Sequence, residues 1–88
     1  MKYIEYIRAE PCVIPGCPEK SDAHHLLSRK SQGNTERNDY FAIPICRIHH
    51  TVLHQYGIAK FEEKHHGLVN VWKECAYLLR EWILRGLK

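Results

Sequence analysis

Histidines and cysteines fall at short spacings in two segments of this 88-residue chain. The first segment carries two cysteines and then the adjacent residues His24 and His25. The second carries one cysteine and then the adjacent residues His49 and His50. Imidazole nitrogens and thiolate sulfurs are the preferred ligands of zinc and other borderline metal ions. The chain has 7 histidines and 4 cysteines, more than one tetrahedral ion can bind, so the sequence predicts two separate sites.

One set of four ligands has the spacing of a structural zinc site. Cys12 and Cys17 are separated by four residues, and Cys46 and His49 by two. Structural Zn²⁺ is commonly held by two such short-spaced pairs, each on its own turn. The Pro-Gly pair between the first two cysteines is a turn signal. We therefore predict a Cys3His zinc site, the alternative being a set of unrelated buried cysteines.

The remaining histidines favour a second ion. His50 and His54 are four residues apart, so on a helix they project from the same face. A third ligand from the pair His24 and His25 would complete a three-histidine site with an open position, which is the catalytic pattern. Neighbouring strand residues point to opposite faces, so one of this pair can bind while the other stays a free imidazole, able to act as a general base. The alternative is that the pair only decorates a surface strand.

These residues need short elements to position them. Residues 1–11 mix apolar and charged side chains and are compatible with either a short strand or a helical turn. The region that follows is predicted as a strand over 23–27, a polar loop over 28–39, a strand over 40–45, and a helix from about 47 to 56 that stops at Gly57.

The last third of the chain is predicted to be helical. A short helix over 58–64 is closed by Gly67, and a longer one runs from Asn70, a good N-cap, to Gly86. Its apolar residues recur with a helical period and predict one core-facing side. The predicted core side comprises Trp72, Cys75, Ala76, Leu79, Trp82 and Ile83. Cys75 has no partner at ligand spacing and is predicted to be a buried free thiol.

Composition narrows the class of protein. The chain is 44% apolar and 26% charged, which is typical of one small globular domain. No apolar run approaches the ~20 residues that span a bilayer, and the N-terminus lacks the apolar core of a signal peptide. We therefore expect a cytoplasmic protein with no membrane partner, in which cysteines bind metal more often than they form disulfides.

The basic residues cluster around the histidine segments. The net charge is +3, and the cluster comprises Arg29, Lys30, Arg37 and Arg47. A positive field beside a metal site suits a polyanionic partner such as nucleic acid. The same residues are also compatible with an ordinary solvated loop.

The joint motif resembles a known family. The segment Ala23-His24-His25-Leu26, followed after a polar loop by residues 43–50 (IPICRIHH), is similar to the HNH, or ββα-metal, endonuclease superfamily. The resemblance covers roughly residues 12–56 and is closest to the zinc-knuckle subset found in phage-encoded proteins. It implies an α+β fold and a phage or bacterial origin. The implied single domain, 1–88, has a zinc-stapled ββα-metal core over about 12–57 and C-terminal helices over about 58–86.

The resemblance also implies residue roles. His24 would bind the catalytic ion together with His50 and His54, and His25 would deprotonate the attacking water. Asn38 is the best match to the asparagine that supports the loop beside the base, although its spacing to the second cysteine segment is longer than usual. Asn34 and Asp39 compete with Asn38 for that role. His49 stands where many members of the family carry a fourth cysteine.

The implied reaction is hydrolysis of a nucleic-acid phosphodiester, with DNA as the expected substrate. Mg²⁺, Mn²⁺ and Zn²⁺ are the candidate catalytic ions, and histidine ligands favour a borderline metal over Mg²⁺. Arg29, Lys30 and Arg47 are expected to bind flanking phosphates without reading sequence. Targeting would then come from a homodimer or a protein partner. The rival interpretation is a non-catalytic zinc module that binds nucleic acid or a protein.

Overall fold

The computed structural model describes residues 2–26 and 38–86. A helix comes first, followed by two strands and then two more helices. The elements are α1 (Tyr3–Ala9), β1 (Ser21–His25), β2 (Ala42–Cys46), α2 (Arg47–Lys64) and α3 (Val71–Leu84). The predicted α+β class is confirmed. Among these described residues no helix is long and apolar enough to cross a membrane.

The two strands form an antiparallel sheet whose bounds differ from the predicted ones. Ser21 lies opposite Cys46 and His25 lies opposite Ala42. The first strand therefore starts two residues earlier than predicted, and the second extends to Cys46. Tyr40 was predicted to lie in the second strand, but it belongs to the preceding turn, where its backbone N–H donates to the Asn38 side chain at 3.0 Å. A side chain that bonds the backbone two residues on competes with strand pairing.

The pairing places the two adjacent histidines of β1 on different faces of the sheet. His24 lies opposite Ile43, which is buried in one core cluster together with Leu53 of α2. His25 lies opposite Ala42, which belongs to a second cluster built by α1 and α3. Because side chains alternate along a strand, His24 faces α2 and His25 faces away from it.

The N-terminal segment, for which the sequence left strand and helix open, is a helix. Tyr3, Tyr6 and Ile7 are buried, and this spacing of three and four residues gives α1 one apolar face. That face packs against Trp82 of α3, and the Tyr6 hydroxyl donates to the Leu78 carbonyl at 3.2 Å. The packing partner lies more than 70 residues away along the chain, so local sequence could not decide the structure here.

The helix α2 is interrupted at Gly57. Two helices were predicted, over 47–56 and 58–64, and the chain forms both; they are separated at Gly57, which is non-helical with φ 80° and ψ 168°. This backbone region is nearly confined to glycine. Leu53 before the kink and Phe61 after it are buried in the same core. The kink therefore lets the histidine-bearing first half and the second half both pack on the sheet.

The last helix begins where the sequence predicts. The Asn70 side chain accepts a hydrogen bond from the Lys73 backbone at 3.0 Å, but α3 ends at Leu84, before Gly86. The predicted core side was partly wrong, because Ala76 is exposed and Trp72 and Ile83 are 43% and 65% exposed. The buried residues of α3 are Val71, Cys75, Leu78 and Trp82. The helix is rotated so that its C-terminal half packs against α1, a partner that periodicity alone does not reveal.

Candidate metal centres

Four predicted ligands come together in what we call the knuckle cluster: Cys12, Cys17, Cys46 and His49. Their ligand atoms all lie within 4.8 Å of one another. The His49 Nδ1 atom is 3.1 Å from Cys46 Sγ and 3.7 Å from Cys12 Sγ. Zinc–ligand bonds of 2.0–2.3 Å in a tetrahedron separate neighbouring ligand atoms by about 3.3–3.8 Å, which these two distances approximate. The four residues could therefore bind a metal such as zinc.

Local turn chemistry builds the first half of this cluster. The Cys17 backbone N–H donates to the Ile14 carbonyl at 3.1 Å, and Gly16 between them has φ 80°. This is a tight turn with proline second and glycine third, the positions that those residues favour. The Val13 N–H donates to the Pro44 carbonyl at 2.9 Å, which ties the turn to β2.

The second half of the knuckle cluster lies where β2 passes into α2. Cys46 is the N-cap of α2, and its Sγ accepts from the His49 backbone N–H at 3.4 Å. The Cys46 N–H in turn donates to Cys12 Sγ at 3.3 Å. Backbone N–H groups pointing at sulfur stabilise the thiolate form that a metal requires.

Burial makes the charge state of the Cys12 sulfur depend on an ion. Cys12 is 6% exposed, and burial raises the pKa of its thiol from 9.0 to about 11. Without a cation the thiol is neutral at physiological pH, and a bound divalent ion would supply the charge that ionises it. Cys75, also buried, belongs to neither metal cluster, which agrees with its predicted role as a free thiol.

Three further predicted ligands form a second group, the three-histidine cluster of His24, His50 and His54. The His50 Nε2 atom lies 3.0 Å from His24 Nδ1 and 3.1 Å from His54 Nε2. Nitrogen ligands about 2.0–2.1 Å from a common ion are separated by roughly 2.9–3.4 Å, so the observed spacing suits one shared ion. One ligand comes from β1 and two come from successive turns of α2.

Burial and neighbouring rings keep the His24 imidazole in the form that binds metal. Burial, followed by the neighbouring imidazoles of His50 and His54, lowers the pKa of His24 from 6.5 to about 4. A neutral imidazole has one nitrogen lone pair free for an ion. His24 is therefore ready to bind at neutral pH without first losing a proton.

His25, the predicted base, has a partner of its own outside the cluster. Its Nε2–H donates to Asp39 Oδ1 at 2.7 Å, and the His25 side chain is 16% exposed. Asn38, the predicted supporting residue, holds the turn that presents this carboxylate, since its side chain accepts from Tyr40 N–H and its carbonyl accepts from Phe41 N–H at 3.1 Å. Asn38 therefore bonds the backbone of the turn, while Asp39 bonds the His25 ring.

A carboxylate that the sequence reasoning missed lies behind the three-histidine cluster. Asp22 Oδ2 is 3.5 Å from His50 Nδ1 and 3.1 Å from Arg47 Nε. Its position two residues before His24 was an available signal, because alternate residues of a strand share a face. Arg47, predicted to bind nucleic acid, is 83% exposed and keeps its remaining guanidinium N–H groups for another acceptor.

Of the remaining predicted positions, Arg29, Lys30, Asn34 and Arg37 fall outside the described residues. His65 donates from Nδ1 to the Phe61 carbonyl at 2.8 Å and so caps α2. Its ring also lies 5.9 Å from that of His49, centroid to centroid.

Comparison with known proteins places the chain in a family. A family model described as "Protein of unknown function (DUF968)" matches residues 1–78. The chain belongs to this family. It is also 38% identical, over 65 residues or 73% of its length, to the uncharacterized protein YdfU of Escherichia coli strain K12.

The matched region is a small part of that relative. It covers 18% of YdfU, so the DUF968 chain spans about a fifth of the length of the relative it matches. The bacterial source of YdfU agrees with the bacterial or phage origin expected from the sequence. No solved structure matches the chain.

Proposed function

We propose that this DUF968 chain is a metal-dependent endonuclease of the HNH, or ββα-metal, type that hydrolyses phosphodiester bonds in DNA. The observation that carries the proposal is the opposite orientation of two adjacent histidines on β1. His24 faces α2 and joins two helical histidines, while the next residue, His25, faces the other way and is held by Asp39. Metal-assisted hydrolysis can use one such residue as a metal ligand and the other as a general base.

The order of elements supports the same proposal. Two antiparallel strands lead directly into α2, and the second strand ends at the cysteine that begins this helix. In that order the knuckle cluster lies at the strand–helix junction and fixes the first turn of α2. His50 follows the knuckle ligand His49 immediately, so a zinc-stabilised turn would also fix the direction of the second ligand set.

His25 has the hydrogen bonding expected of a general base. With the Nε2–H directed at Asp39, the neutral ring has its lone pair on Nδ1, and that nitrogen can take a proton from water. The carboxylate fixes the tautomer and the ring orientation, and it stabilises the imidazolium that forms. Asn38 maintains the turn that carries Asp39.

An ion bound by His24, His50 and His54 would stabilise negative charge on the scissile phosphate and on the departing oxygen. The candidates are Mg²⁺, Mn²⁺ and Zn²⁺, with the all-imidazole ligand set favouring Mn²⁺ or Zn²⁺. Arg47, at the edge of this cluster and largely exposed, would bind a flanking phosphate and hold the substrate without reading its sequence.

The test is nicking of supercoiled plasmid by zinc-loaded protein with added Mn²⁺. Loss of a general base typically costs about 10²–10⁴-fold in rate, and we expect His25→Ala to lose activity in that range while retaining its metal. The matched control is His66→Asn, which removes an exposed histidine from a position with φ 53° that asparagine tolerates. This control should nick like the wild type.

Two results would overturn the proposal. Equal nicking by wild type and His25→Ala would show that His25 is not the general base. An absence of metal-dependent cleavage, with one tightly held zinc and no second ion, would favour the rival non-catalytic zinc module instead.

A further inference from the structure

The carboxylate of Asp22 lies next to a metal ligand, and the steps described above do not use it. Its Oδ2 atom approaches His50 Nδ1 at 3.5 Å, while the opposite nitrogen of the same ring, Nε2, points into the three-histidine cluster. Neutral imidazole carries one N–H. If that hydrogen lies on Nδ1, towards the carboxylate, the lone pair of Nε2 faces the ion.

We propose that Asp22 is a positioning residue for the ion held by the three-histidine cluster, acting through His50. The inference rests on the proposed function for the identity of that site. Histidine ligands usually donate their second ring N–H to a carboxylate or a carbonyl, which fixes the tautomer and raises the basicity of the ligating nitrogen. Asp22 supplies such an acceptor to one of the three ligands.

The fold explains why this position can do so. Asp22 and His24 are alternate residues of β1 on the face towards α2, and Asp22 lies opposite the buried residue Ile45. One strand therefore delivers both a ligand and the support of another ligand. The carboxylate also lies beside the first turn of α2, where negative charge is favourable. That first turn contains no acidic residue of its own.

Arg47 holds the carboxylate from the solvent side. Its Nε–H donates to the same Oδ2 atom at 3.1 Å, but the Arg47 side chain is 83% exposed and that of Asp22 is 33% exposed. Exposed ion pairs contribute little free energy, so we expect this pair to add little to the position of the carboxylate. If Asp22 served only as the ion-pair partner of Arg47, removing either residue would change metal affinity equally. If Asp22 supports a metal ligand, only its own removal should lower that affinity.

The experiment measures Co²⁺ binding to protein whose knuckle cluster is already loaded with zinc, by calorimetry and by the visible absorption of the bound ion. Removing such a supporting carboxylate typically lowers metal affinity about 10–100-fold, and we expect that loss for Asp22→Ala. Asp22→Asn retains an oxygen acceptor for the His50 N–H and should lose less. Arg47→Ala removes the ion pair alone and should bind Co²⁺ within about threefold of wild type, because exposed pairs contribute so little.

The outcomes separate this inference from the proposed function. Wild-type affinity in Asp22→Ala, or an equal loss in Arg47→Ala, would overturn the role of Asp22. A wild-type protein that binds no second ion would overturn both proposals. A graded loss across Asp22→Asn and Asp22→Ala, in a protein that nicks no plasmid, would support the role of Asp22 and overturn the endonuclease proposal alone.

Discussion

Replacing Cys46 with alanine removes a ligand of the knuckle cluster and the N-cap of α2 in one change. Its sulfur lies 3.1 Å from His49 Nδ1 and accepts the His49 backbone N–H. It also lies at the junction of three segments: the Cys12–Cys17 turn, β2 and α2. We therefore expect this single substitution to release the zinc and to loosen the elements that the zinc holds together.

The expected loss is large for a chain of this size. At about 0.05–0.15 kcal/mol per residue, 88 residues give roughly 4–13 kcal/mol of total stability. A structural zinc contributes about 10–16 kcal/mol of binding free energy in small zinc domains. Substitutions that destroy a metal site are among the most destabilising, and they lower the free energy of unfolding by about 4–5 kcal/mol or more. At about 4–8 °C per kcal/mol, the Tm of Cys46→Ala should fall by about 16 °C or more.

Cys75→Ala is a matched control. Both cysteines are 2% exposed, and both substitutions delete the same sulfur atom, but Cys75 is outside the knuckle cluster. Its loss should cost only about 1–1.5 kcal/mol for the lost contacts and the small cavity. Calorimetry of the thermal transition, together with metal content by mass spectrometry, would compare the two variants.

Zinc content shows whether a lower Tm comes from loss of the metal or only from loss of buried sulfur contacts. Cys75→Ala should retain one zinc per chain, and Cys46→Ala should retain much less. A role for Cys46 as a zinc ligand would be wrong if Cys46→Ala bound zinc as wild type does, or if both variants lost the same stability and the same metal.

Three further substitutions test the elements around the clusters. Gly57→Ala should destabilise the protein by about 1–3 kcal/mol in chemical denaturation, because φ 80° and ψ 168° are strained for alanine. An unchanged denaturation midpoint would contradict this backbone conformation at Gly57. Asn70→Ala should cost about 0.5–2 kcal/mol by loss of the α3 N-cap, and the same denaturation curve would show it. Asp39→Ala should slow plasmid nicking through kcat while leaving Co²⁺ affinity unchanged, since its partner is His25 and not a ligand; a loss of metal would count against that role.

Local spacing predicted which histidines and cysteines lie close together. The residues that the structure gathers into the two clusters are those grouped from the sequence, because a short turn and one turn of helix fix the relative positions of residues three to five apart. The N-cap at Asn70 and the break at Gly57 follow from equally local chemistry.

Features that depend on distant partners could not be predicted in this way. The helical state of residues 3–9 depends on packing against Trp82, and the rotation of α3 depends on the same contact. The carboxylates of Asp22 and Asp39 acquire their partners only when β1 pairs with β2 and packs on α2. Aspartates at such positions look like ordinary polar residues in the sequence.

Under the proposed function, cleavage needs an ion in the three-histidine cluster, while the knuckle zinc only supports the fold. A Mn²⁺ titration of zinc-loaded protein tests this, with second-site occupancy and plasmid nicking rate measured on the same samples. We expect the rate to rise in proportion to occupancy and the substitution His54→Ala to abolish both. Full activity with the second site empty, or no cleavage with it filled, would contradict a catalytic role for this ion.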